Sequence, residues 1–150
     1  MFRKLSLVLV ALALVLAPPA LASAAEQQVA WDAMCAYLEN LPADFNGIRG
    51  EVLKAKLDSG EQIFLLDVRE RNEFVLGHIE GSTNIPVREV PQNLAKLPQD
   101  KNTPIVVICA GAVRSGYVVM ALKEKGYTNV KHLGQGFVTA WQKAGYPVAK

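Results

Sequence analysis

Ile105-Val106-Val107-Ile108-Cys109-Ala110-Gly111-Ala112-Val113-Arg114-Ser115 is the stretch whose reading decides the fold. Ile105 to Ile108 are β-branched without interruption and follow the turn residues Asn102-Thr103-Pro104. A short apolar run bounded in this way is the pattern of a strand buried on both faces, as central parallel strands are. Cys109 closes that strand. Beyond it, Val118, Ala121, Leu122 and Lys125 recur at helical spacing, and Gly126 supplies the stop. The order is strand, small-residue loop, helix.

Cys109 therefore falls at the carboxyl end of a parallel strand, where open α/β sheets gather ligands, and just before a helix amino terminus. Both placements favour an anion, and the thiolate is the nucleophilic form of cysteine. Ala110, Gly111 and Ala112 have almost no side chains, so their N–H groups are expected to curl around the sulfur as an anion nest. Arg114 adds a full positive charge. A cysteine ending an apolar strand is also a common core residue; the loop composition and Arg114 favour the nucleophile over the core reading.

A chain of 150 residues, 51% of them hydrophobic, has the size of one domain with a real core. Part of that apolar content reads as a leader. Arg3 and Lys4 precede the uncharged run Leu5–Ala17, then Pro18-Pro19 and small residues, the three parts of a secretory signal peptide with cleavage expected after Ala22 or Ala24. The run is shorter than the ~20 apolar residues of a membrane span. The expected organisation is a signal peptide over 1–24, a helical extension over 25–47 and the domain over 48–150, with a periplasmic or secreted destination. Loss of the leader leaves 14 basic against 14 acidic residues, so the sequence offers no electrostatic case for nucleic acid or a membrane surface.

The rest of the chain alternates between strands and helices. Trp31, Met34, Cys35, Leu38 and Leu41 predict a helix ended by Pro42; Phe45–Arg49 a turn and short edge strand; Glu51–Leu57 a second helix. Ile63–Arg69 is a buried strand ending in charge, and Asp67 and Arg69 are expected to lie near the cysteine loop, either with Asp67 holding Arg114 or loop amides or as hydrogen-bonded ion-pair residues that pin two strand ends. His78, between glycines, is read as a backbone anchor in preference to a general base. Ser82–Pro86 predicts a short strand, Val90–Leu97 a helix, Val130–Leu133 a last strand with His132 exposed, and Phe137–Ala144 a final helix. The sum is an α/β three-layer domain whose mostly parallel sheet of four or five strands is flanked by helices.

These pieces together resemble the rhodanese family. The resemblance rests on Leu65-Leu66-Asp67-Val68-Arg69-Glu70 with Glu73-Phe74, on Gly77-His78-Ile79-Glu80-Gly81-Ser82 with Asn84-Ile85-Pro86, and on Cys109 with Arg114-Ser115. Leu133-Gly134, Gly136-Phe137, Trp141 and Gly145-Tyr146-Pro147-Val148 close the pattern. The resemblance implies a three-layer rhodanese-like fold and a sulfurtransferase in which Cys109 takes the outer sulfur of thiosulfate, or of a persulfide or polysulfide donor, as a persulfide. Cyanide, a thiol or a protein thiol then accepts it. Ala110, Gly111, Ala112, Val113, Arg114 and Ser115 would bind the small donor anion, with Asp67 and Arg69 as site support; no metal and no cofactor is called for. Phosphatases and arsenate reductases related to this fold have a wider loop, five residues between cysteine and arginine, whereas Ala110–Val113 is shorter and suits sulfur. The family commonly has glycine at the position of Ala112, so a different loop path is expected here. Two further readings stay open: an inactive rhodanese-like binding module, and a thiol redox protein using Cys35 and Cys109.

Overall fold

The computed structural model describes residues 19–150. Of the leader read over residues 1–24, residues 1–18 lie outside the described residues. Contacts divide the chain into two units, Met1–Leu41 and Pro42–Lys150. In the first, helix α1 spans Pro19–Glu39 and takes in Ala22 and Ala24. Among the described residues no helix is long and apolar enough to cross a membrane.

The second unit holds β1 (Gly47–Ile48), α2 (Gly50–Asp58), β2 (Phe64–Asp67), α3 (Arg71–Leu76), β3 (Thr83–Asn84), β4 (Ile105–Ile108), α4 (Val113–Glu124) and β5 (Val130–Leu133). The five strands form one sheet in the order β1-β5-β4-β2-β3, and every pairing is parallel. β4 sits at the centre with all four residues buried, which is why it needs β-branched residues at every position. Successive side chains of a strand point to opposite faces. Val107 and Cys109 accordingly join Leu66, Val118, Val119 and Leu122 in the core under α4, while Val106 and Ile108 join Leu53, Leu65, Phe137 and Trp141 in the other. The alternation puts the cysteine side chain on the α4 face.

Four details differ from the sequence reading. The helix expected over Val90–Leu97 is two 3₁₀ segments, Val87–Gln92 and Leu94–Lys96; Pro91 inside the first has no N–H to donate to an α-helical turn. The buried stripe of α4 is Ser115, Val118, Val119 and Leu122, with Ala121 and Lys125 exposed. His132 is half-buried, and its Nδ1 is enclosed without a partner. The last helix is a wide π-type turn over Val138–Gln142, with Trp141 buried and its Nε1 donating to the Pro147 carbonyl at 2.7 Å.

The charged end of β2 is closed locally. Arg69 donates to Asp67 from its backbone N–H and Nε at 3.0 Å and from Nη2 at 2.6 Å, and Nη2 also reaches the Gly77 carbonyl at 2.8 Å. Asn84 Nδ2 donates to the carbonyls of both Asp67 and Arg69 at 2.9 Å, tying β3 to the same corner. His78 anchors the next turn: its Nδ1 lies 3.2 Å from the Phe74 carbonyl, its ring stacks on Phe74, and its backbone pairs with Ala149. Removing one member of a buried ion pair strands the other charge. Arg69→Met is expected to lower the unfolding free energy by about 3–5 kcal/mol in urea denaturation, because Asp67 is left uncompensated.

Candidate active site

Two backbone hydrogen bonds fix where the cysteine loop leaves the sheet. Phe137 N–H donates to the Cys109 carbonyl at 2.8 Å and Val138 N–H to the Ala110 carbonyl at 3.2 Å. The chain crosses so closely here that a Cβ on Gly136 would stand 2.3 Å from the Ala110 carbonyl oxygen, at a φ of +70° that disfavours side chains anyway. Gly136 is a requirement of the loop that sequence reasoning placed only in a turn.

The loop then bends back through Ala112, whose φ of 73° is left-handed. An alanine in that region costs about 1–2 kcal/mol. Gly111, one residue earlier, has no positive φ, and a Cβ added to it would meet open space. The position that favours glycine is thus held by alanine, and the glycine stands where none is needed. The bend delivers the chain into α4, with Gly116 N–H donating to the Ala112 carbonyl at 3.0 Å.

Cys109 Sγ meets this helix start through one residue. Ser115 N–H donates to the sulfur at 3.3 Å, and Ser115 Oγ lies at 3.3 Å from it while donating to the Ala112 carbonyl at 2.9 Å. The expected nest of Ala110, Gly111 and Ala112 amides does not form on Sγ. With Ala112 turned left-handed, the first amide to reach the sulfur belongs to the first turn of the helix. Cys109 is only 1% exposed, so the sulfur lies under the loop and not open to solvent. Cys35 and Cys109 are both free thiols.

Arg114 and Asp67, expected together, are not partners, because Asp67 is consumed by Arg69. Arg114 instead makes a two-pronged pair with Glu73 on α3, at 2.7 and 2.8 Å. Oε2 of Glu73 also accepts from the Glu70 N–H at 3.0 Å, so the amino-terminal turn of α3 fixes the carboxylate that fixes the arginine. That pairing holds the Glu73 carboxyl down at about 2. The Arg114 guanidinium is kept firmly protonated, first by Glu73 and also by its closeness to Cys109. Beside the loop, a cavity of about 240 Å³ is bordered by Arg69, Glu73, Leu76, Ala110, Phe137 and Val138, with Ala110 bringing its wall to the residue after Cys109. Among the described residues no group of His, Cys, Asp and Glu is placed to hold a metal.

Fold and site define a class: a parallel α/β domain whose central strand carries one thiol into a tight loop at a helix amino terminus. The chain belongs to the rhodanese-like domain family, which residues 50–144 match. The sulfurtransferase of Allochromatium vinosum is 29% identical over 103 residues, covering 69% of this chain and 94% of that protein. The probable adenylyltransferase/sulfurtransferase MoeZ of Mycobacterium tuberculosis is 39% identical over 97 residues, 63% of this chain; the match spans 24% of that protein's length. Among solved structures, a thiosulfate sulfurtransferase from Pseudomonas aeruginosa superposes with a TM-score of 0.64 at 26% identity, over 80% of this chain and 22% of that one.

Because the folded-state value of Glu73 lies below its ordinary 4.5, its stabilisation is present above about pH 4.5 and is lost as the pH falls toward 2. Urea unfolding should show wild type more stable than Glu73→Gln by a constant margin near neutrality, the margin closing in acid. Gly136→Ala should shift the loop and destabilise the fold by more than 1 kcal/mol, roughly the cost of overpacking against backbone, read by the same assay.

Proposed function

We propose that this protein is an exported sulfurtransferase that carries sulfane sulfur on Cys109. The observation that supports it most is the convergence on one sulfur atom of a helix-start N–H and a serine hydroxyl, with the Arg114 guanidinium of the same loop pinned beside it by Glu73. In the first half-reaction the Cys109 thiolate attacks the outer sulfur of thiosulfate, the S–S bond of the donor breaks, and sulfite leaves with the electron pair. In the second, an acceptor nucleophile attacks the outer sulfur of the Cys109 persulfide and the cysteine departs as thiolate. Cyanide leaves as thiocyanate and a thiolate as its persulfide, with no external oxidant or reductant.

The amides of Ala110, Gly111, Ala112 and Val113, idle on Sγ, are donors for the outer sulfur and for the oxygens of the donor anion, and Arg114 offsets the charge that develops. Asp67 and Arg69 support the loop from the end of β2. With no basic side chain at Ala110 or Gly111, persulfides and polysulfides are donors alongside thiosulfate. The pathway to the compartment is the leader, Arg3 and Lys4 followed by Leu5–Ala17.

The 1% exposure of Cys109 favours a second reading, a binding module whose loop holds a sulfur-containing ion without turnover. One experiment separates the two. Incubation of the mature protein with thiosulfate should add one sulfur atom to Cys109 by peptide mass spectrometry, cyanide should then release thiocyanate, and Cys109→Ser should do neither. A wild-type protein that gains no sulfur from thiosulfate, a persulfide or a polysulfide supports the binding module.

A further inference from the structure

Arg69 is a guanidinium with an unused edge. Its side chain is only 4% exposed, its Nε and Nη2 are spent on Asp67 and on the Gly77 carbonyl, and its face lies 4.1 Å from the Phe137 ring centroid. Among the described residues Nη1 donates to no protein acceptor, and it is not one of the fully enclosed unpartnered atoms, so this nitrogen keeps access to solvent. Arg69 forms part of the wall of the 240 Å³ cavity beside the cysteine loop. Glu73 lines the same cavity, but Arg114 occupies both of its oxygens, so the carboxylate is already answered. The rim is largely apolar, with Leu76 78% exposed and Val138 38% exposed, and Gln142 is its one polar exposed side chain. The site therefore combines a guanidinium fixed by Asp67 and Gly77 in its wall, a largely hydrocarbon mouth, and Ala110, the residue after Cys109, in its lining.

We propose that this cavity is the acceptor site, and that it selects small thiols bearing a carboxylate a few bonds from the sulfur. The proposal rests on the sulfurtransferase reading and names the acceptor class for that site. A carboxylate on Nη1 makes a charge-assisted hydrogen bond in a partly desolvated setting. A short methylene chain covers Leu76 and Val138, and the thiol end lies toward Ala110 and the persulfide. The cavity is below the 300–1,000 Å³ typical of drug-sized ligands, so it fits a molecule of few heavy atoms and no folded partner. Compact, strongly hydrated thiosulfate gains nothing from an apolar rim, which argues for the acceptor over the donor. The transfer balances: the acceptor thiolate forms an S–S bond with the outer sulfur, the Cys109–sulfur bond breaks, and the electron pair returns to Cys109.

The test uses protein loaded with thiosulfate, freed of donor and then discharged in single turnovers by 3-mercaptopropionate or by neutral 2-mercaptoethanol. Comparing the ratio of the two discharge rates between proteins cancels the intrinsic reactivity of each thiol. Leu76→Glu, which places a negative charge on the rim, should lower the ratio about three- to fivefold, and Val138→Lys should raise it by a similar factor, as charge pairs near a surface do. An identical ratio in all three proteins overturns the proposal while normal loading leaves the parent reading standing. A loading rate that follows the rim charge while the ratio stays flat assigns the cavity to the donor anion and also overturns it. A wild type that takes no sulfur on Cys109 overturns the parent reading and this one together.

Discussion

The hydrogen bond from the Ser115 N–H to Cys109 Sγ is the contact on which the site's geometry turns. It exists because β4 ends with its side chain on the α4 face and because the next few residues reverse direction tightly enough to start a helix over the sulfur. The reversal is made by Ala112 in a left-handed conformation, by the anchoring of the Cys109 and Ala110 carbonyls on Phe137 and Val138, and by the missing side chain at Gly136. Each of these is a backbone constraint. The loop needs no bulky residue to define it, and small side chains leave its amides free to serve a ligand.

Around this backbone device the charges are wired in two separate circuits. Asp67 and Arg69 close on each other at the buried end of β2, and Arg69 extends to Gly77. Glu73 and Arg114 close on each other above the loop, with the α3 amino terminus holding the carboxylate. The separation matters physically. A buried pair whose members satisfy one another fixes position at small net energy, whereas a guanidinium held by a half-exposed carboxylate remains available to a neighbouring anion. The first circuit is architecture; the second sets the electrostatics over the sulfur. Arg69 of the first and Glu73 of the second line the same cavity beside the loop.

The sheet was legible in the sequence because its information is local. Unbroken β-branched residues at Ile105–Ile108, charge only at the end of Phe64–Asp67 and turn residues between them define central strands without any tertiary knowledge. Cys109 was legible by position, at the end of the most buried strand. The partners were not. Glu73 and Arg114 lie 41 residues apart, and nothing nearby in either segment marks one for the other, although Glu73 stands inside a motif shared with the family. Asp67 looked equally suited to Arg114 until Arg69, two residues on, took both its oxygens. Gly136 reads as one more turn glycine until the carbonyl of Ala110 is found against it. The wrong expectation for Ala110, Gly111 and Ala112 amides on the sulfur has the same origin, since a single φ decides which amide arrives.

Sulfur transfer requires this loop to carry a second sulfur atom, and the most direct view of it is a crystal structure of the protein after exposure to thiosulfate. The expected result is an added sulfur bonded to Cys109 Sγ, within hydrogen-bonding distance of N–H groups from residues 110–114, with Arg114 still paired to Glu73. A bare Cys109 thiol under an unchanged loop in donor-soaked crystals would contradict it.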